Sequence, residues 1–307
     1  MTLQEVEKHR LDFIYETKKA LFILFLIIFV FTAIQIMYKY EFIAFLSKPA
    51  TFIFISLWFG DITTKWNKYR EFYKLNVTRS IITNILLTAN YMPSESVDKE
   101  VVRQSRLVSE YFNYFRGEDL ICFQSFGNLR LCEIKLGDES SKKLDIEFKG
   151  LFGYAEFPFD FEGTTIVKPK KFMDSVFNNK GFEDVRLESP RFMDIWDIKS
   201  TSQLGARLAL GTDIMNNLLY FHDNIKKNIS LSFIGNKVYI AISQTTFLES
   251  DFIKPVFDQE SVKQIQQEIR IVHDLIQTFK LRQSRDLPST QVYPPTDRQS
   301  HPDILQG

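Results

Sequence analysis

The residues of this sequence best suited to chemistry are carboxylates set close together: Glu118 with Asp119, Glu156 with Asp160, and Asp194 with Asp197. Two such groups in contact could work as acid and base or hold a divalent cation, and Asp119 and Asp160 are the candidates for an acidic site of that kind. Carboxylates at strand ends and turns more commonly serve as caps and solvated faces, and that is the expected role here. The histidines His9, His222, His273 and His301 are scattered, and His222, beside Phe221 at a helix end, reads as a C-terminal helix cation. No HExxH, CxxC, P-loop or GxSxG motif occurs, so zinc, phosphate-loop and hydrolase readings have no support. No catalytic residue, metal site or cofactor is expected. Gly150, Gly153 and Gly163 suit strand bends and turns better than a phosphate cradle, since no helix start follows them directly.

Cys122 and Cys132 flank an expected turn around Gly127 and Asn128. A two- or four-residue loop pairs Cys122 with Glu133 and sends the two thiols to opposite faces, whereas a three-residue loop brings them together. A cytoplasmic location disfavours a disulfide, and both read as ordinary buried cysteines.

The elements that must position these residues begin with a long apolar stretch. From Ala20 to Met37 the chain reads ALFILFLIIFVFTAIQIM without a charge, about 27 Å if helical, which is enough to span a bilayer. Lys18 and Lys19 bound it on one side and Tyr38, Lys39 and Tyr40 on the other, as interfacial anchors do. The run is longer than a signal-peptide core and offers no small-residue cleavage site. A second run, Phe42 to Gly60, is interrupted by Ser47, Lys48 and Pro49, and crosses only if Lys48 snorkels outward or the helix extends past Asp61. Residues 20–60 therefore read as a transmembrane hairpin. Lys8, Arg10, Lys18 and Lys19 precede it and Lys65, Lys68, Arg70 and Lys74 follow it, so the positive-inside rule puts both termini in the cytoplasm.

The rest follows in order. Residues 1–19 form an amphipathic segment that lies on the membrane or packs on a later helix. Residues 61–90 show helical periodicity from Trp66 through Leu86, a juxtamembrane helix, and Ser94 or Ser96 can cap a second helix over about Val97–Phe115. Residues 91–282 form the cytoplasmic domain. From Glu118 the pattern changes to short alternating strands, DLICFQSF, LRLCEIKL, KLDIEFKGLFGYAEF, GTTIVKP and DVRLES, whose links are too short for crossover helices. The fold class is therefore α+β, with a mainly antiparallel sheet and flanking helices. Thr212 or Asp213 caps a helix to about Asn224, and ISLSFIGNKVYIAIS turns at Gly235 and Asn236 as a hairpin. Val262, Ile265, Ile269, Val272, Ile276 and Phe279 recur at heptad spacing, either as a coiled-coil seam or as a helix laid across the sheet. Residues 283–307 are polar and Pro-rich, and read as disordered.

The chain has formally zero net charge, which argues against nucleic acid as a partner. Phenylalanine is unusually frequent, at 30 residues, and must also fill the domain outside the hairpin.

Several stretches resemble the bacterial membrane-protein family catalogued as domain of unknown function 3137. They are GED at Gly117–Asp119, FKGLF at Phe148–Phe152, EGTTIV at Glu162–Val167, LESPRF at Leu187–Phe192, Ala206 with Arg207, and SFIGNKVYIAI at Ser232–Ile242. Gly153 departs by standing where a bulky residue is more usual, and Leu210, Gly211 and Thr212 replace a leucine, threonine and proline run. The resemblance implies an anchor-plus-domain layout in a bacterial inner membrane and supplies no activity.

The expected function is a membrane-anchored binding or scaffolding module rather than an enzyme. Its partners would be the lipid bilayer and a protein, or a second copy, held through Val262, Ile265, Ile269 and Ile276. The alternative is a membrane-tethered enzyme or small-ligand receptor with an acidic pocket.

Overall fold

The computed structural model describes residues 3–37, 60, 62–86, 88–109, 111–124, 128–140, 143–170, 181–243, 248, 260, 263 and 265–274. The N-terminal segment and the apolar run form one helix, α1 (Leu3–Met37). A helix over residues 62–73 (α2) passes into a π-helical turn, Lys74–Thr78, and continues as α3 (Arg79–Ile85). Then come β1 (Ala89–Met92), α4 (Lys99–Gln104), β2 (Tyr114–Phe123), β3 (Leu129–Ser140), β4 (Lys143–Glu156), β5 (Thr164–Pro169) and β6 (Glu183–Asp184). These are followed by α5 (Pro190–Ile195), β7 (Trp196–Ser200), α6 (Gln203–Ala209), α7 (Thr212–Ile225), β8 (Ile229–Ile234) and β9 (Lys237–Ser243), and a last helix covers 265–274 (α8).

The strands make one antiparallel sheet in the order β1-β2-β3-β4-β9-β8-β5-β7-β6, as the short links require. The β8–β9 hairpin turns at Gly235, whose φ of +57° suits a residue without Cβ, and inserts between β4 and β5. Strand alternation supplies both faces. Val238, Ile240 and Ile242 join the larger core under α2, α3, α6, α7 and α8, while Tyr239 and Ala241 join a smaller core with Val97, Val102 and Phe112.

α1 packs by its N-terminal half. Val6 is 1% and Phe13 is 8% exposed, and the Phe13 ring lies 5.8 Å from Trp66 and 6.1 Å from Tyr69. Beyond that contact the character reverses: Phe22, Phe25 and Phe29 are 66%, 66% and 61% exposed. Among the described residues no helix is long and apolar enough to cross a membrane. In the apolar run, side chains are described for Ala20–Val30, Thr32 and Ala33, and Phe42 to Phe59 of the expected hairpin lie outside the described residues.

Several expectations are corrected. The juxtamembrane helix ends at Ile85, and Ala89–Met92 pairs with β2 as an edge strand. The helix expected over Val97–Phe115 is six residues long and is capped by Asp98, whose carboxylate accepts from Glu100 N at 2.7 Å. It stops because the Ser105 hydroxyl turns back to Val102 O and then accepts from Leu107 N. In DVRLES only Asp184 is strand, and Ser189 instead caps α5 with Pro190 at its start. α7 has Gly211 at its N-cap in place of a side-chain cap. Cys122 pairs with Arg130 rather than Glu133, so both thiols share one face without a disulfide.

Candidate functional site

The site begins with two local irregularities facing each other. On the helix side, the π-helical turn turns Lys74, Val77 and Thr78 all inward, and Arg70 lies one turn before Lys74. On the sheet side, the β2–β3 register slips between Glu118 and Ile121. Asp119 there adopts φ +62°, and its N–H and that of Leu120 donate to Pro93 O and Glu95 O at 3.0 and 3.1 Å instead of to β3. In a regular strand Glu118 and Asp119 would face opposite sides. The bulge lets both meet the same helix.

Four polar contacts result. Arg70 donates to Glu118, Lys74 Nζ donates to Glu118 at 3.3 Å and also to Asp119, and the Tyr91 hydroxyl donates to the other oxygen of Asp119. Asp119 is fully buried and Lys74 is 2% exposed. Burial alone would raise the Glu118 carboxyl, but Lys74 and Arg70 together hold it below the usual carboxylate range. Asp119 is more deeply enclosed, and burial pushes it up to about 6 against the opposing pull of Lys74 and Tyr91. Burial, followed by the Asp119 charge, raises the Tyr91 phenol far above its ordinary value.

Two clefts open beside this cluster and share Arg70, Arg116 and Glu118 as walls. One, about 340 Å³, adds Asn67, Glu71, Lys74 and Ser94; the other, about 230 Å³, adds Trp66, Tyr114, Glu133, Lys135 and Lys149. Both carboxylates of the cluster are engaged by cations, which makes it a compensated ionic lock rather than a free acid–base pair. Among the described residues no group of three or more His, Cys, Asp or Glu is placed to hold a metal ion.

Asp119 and Asp160 are not brought together: Asp119 is in the sheet at the level of Glu133, while exposed Asp160 follows β4 beside the β8–β9 turn. Glu156 faces Lys237 at 3.7 Å, Asp194 is exposed, and Asp197 stands opposite Lys168 in the β7–β5 backbone register. Ile265 and Ile269 are 2% and 0% exposed in the larger core, so they are not available as a partner face; Val262 and Ile276 lie outside the described residues. Ile265, Ile269 and Val272 cover the domain's own core. Arg70, Lys74 and Tyr91 were not legible as site residues. Their one sequence signal is the i,i+4 spacing of Arg70 and Lys74 on a helix also rich in aromatics.

Comparisons with known proteins add the following. Residues 146–281 match the family model described as "Protein of unknown function (DUF3137)". The cluster of Arg70, Lys74, Tyr91, Glu118 and Asp119 lies outside that range, as does the Gly117–Asp119 stretch of the resemblance. No curated protein matches the chain. A solved structure, the "crystal structure of the mycobacterial trehalose monomycolate transport factor A, TtfA", is 12% identical, with 66% of this chain and 93% of that chain covered at a TM-score of 0.37.

Proposed function

We propose, for a chain whose residues 146–281 match the model of the family of unknown function DUF3137, a membrane-anchored binding module. It holds its antiparallel-sheet domain at the cytoplasmic face of a bacterial inner membrane. The observation that carries this reading is the change of character along α1, from an N-terminal part that buries Val6, Arg10 and Phe13 against the domain to a run in which Leu21, Phe22, Phe25, Leu26, Phe29 and Val30 are exposed. A solvated helix does not keep such a surface uncovered, and a lipid environment covers it without a partner chain.

The return of the chain supports a hairpin. The ring of His9 lies 4.6 Å from Phe72, Phe13 contacts Trp66, and Glu16 lies 3.9 Å from Lys65, so α1 and α2 run antiparallel. A chain that leaves along α1 thus comes back beside it, and the basic residues on both sides of the apolar runs favour the cytoplasmic side for that junction. Engagement of Glu118 and Asp119 by Arg70 and Lys74 favours a binding role over acid–base catalysis.

The test is made in a bacterial host. Alkaline carbonate should leave the chain in the membrane pellet, and Glu41→Cys should react with a membrane-impermeant maleimide from outside intact cells while Lys65→Cys does not. Release by carbonate overturns the anchor, and labelling of Lys65→Cys overturns the orientation.

A further inference from the structure

The antiparallel register puts three cations in one line across three strands. Arg116 on β2 lies opposite Lys135 on β3, and Lys135 lies opposite Lys149 on β4. Directly opposed like charges destabilise a sheet, because their Cβ atoms are only about 5 Å apart. The next rung, Glu118 with Glu133, does not cancel the line. Glu118 is held by Arg70 and Lys74, and Glu133 lies 3.9 Å from Lys149. Arg116 and Lys135 have no ion-pair partner among the described residues. The line also forms the floor of the 230 Å³ cleft, whose wall carries Arg70 and Trp66. Its charged lining is Arg70, Arg116, Lys135 and Lys149 against Glu118 and Glu133, four positive against two negative.

We propose that this cleft binds a phosphate-type anion, seated on the Arg116–Lys135–Lys149 line with the Arg70 guanidinium beside it. Guanidinium and ammonium donors from three adjacent strands and a helix suit the several oxygens of a phosphate group, and a bound anion relieves the repulsion that the register imposes. Two sources share this chemistry: a free phosphate compound, or the headgroup of an anionic lipid. The second is within reach, because Trp66 packs on Phe13, about 10 Å along α1 from the start of the apolar run at Ala20. The lipid source rests on the membrane reading above, whereas the site itself does not.

The experiment uses the full chain and reads the thermal midpoint of the domain. In one arm the chain is in neutral detergent with sodium phosphate, against sodium chloride at equal ionic strength. In the other it is in phosphatidylcholine nanodiscs with and without phosphatidylglycerol. A rise with phosphate identifies a free-phosphate site, and a rise only with phosphatidylglycerol identifies the headgroup. Both rises should vanish in the Arg116→Gln, Lys135→Gln double variant, which should itself melt above the parent without anion because the opposed charges are gone. No rise in either arm overturns the proposal, as does a double variant that melts lower and keeps the response. Failure of the chain to enter nanodiscs counts against the membrane reading alone, since the phosphate arm still decides the site.

Discussion

Lys74 and Asp119 form a direct ion pair inside the domain, the lysine 2% exposed and the aspartate fully buried, across the interface between the π-helical turn and the β2 bulge. The pair joins the helical segment that runs on from α2 to β2, the second strand of the sheet. Removing the cation alone strands a buried carboxylate, which costs about 3–5 kcal/mol. Lys74→Met should therefore lower the unfolding free energy by that amount in urea titrations at pH 8. The loss should shrink at pH 5, where Asp119 takes up a proton. A loss independent of pH would show that packing, not charge, holds the junction.

The same aspartate sets a pH dependence in the parent. Its carboxyl, raised to about 6, keeps its proton more tightly in the folded chain than in the unfolded one. Below about pH 4 both states are protonated and the advantage is fully present. As pH rises from about 4 to about 6 the unfolded state loses its proton first, so stability falls, by roughly 3 kcal/mol at most. Glu118, held below its usual range, works in the opposite sense, its contribution being lost as pH falls below that range. The stability of the parent minus that of Asp119→Asn isolates the first effect. It should decline between pH 4 and pH 7, and a flat difference would remove the assignment.

Ile269 on α8 is fully buried. Ile269→Ala should cost about 2–5 kcal/mol, and Ile269→Glu should unfold the domain rather than detach a partner. Circular dichroism melts read this directly. A folded Ile269→Glu domain with an altered oligomeric state would instead return the stripe to an interface.

At the β4–β9 seam, a Cβ on Gly150 would stand 2.0 Å from Ile242 O, a backbone atom that cannot swing away. Gly150→Ala should destabilise by about 1–3 kcal/mol or more as the two strands part. Amide hydrogen exchange should then rise first along Lys237–Ser243. Unchanged protection there would contradict the close approach.

The sequence by itself determined the element types wherever local periodicity is strong. Alternation in LRLCEIKL and KLDIEFKGLFGYAEF, the Gly235–Asn236 turn, and the three- and four-residue steps of α7 and α8 all produced the elements they imply, because backbone geometry within about ten residues sets those patterns. WDIKS alternates too, in the buried and half-buried pattern of β7, and could have been read as a strand. Tertiary structure alone decided what each apolar or charged stripe faces. The heptad stripe of α8 is buried because the domain's own core lies beneath it, a fact no local spacing carries. The insertion of β8–β9 beside β4 depends on pairing across some eighty residues. The site depends on two breaks in regularity, the π turn at Lys74 and the bulge at Asp119. Each is unfavourable in isolation and is held by the ionic contacts made with the other.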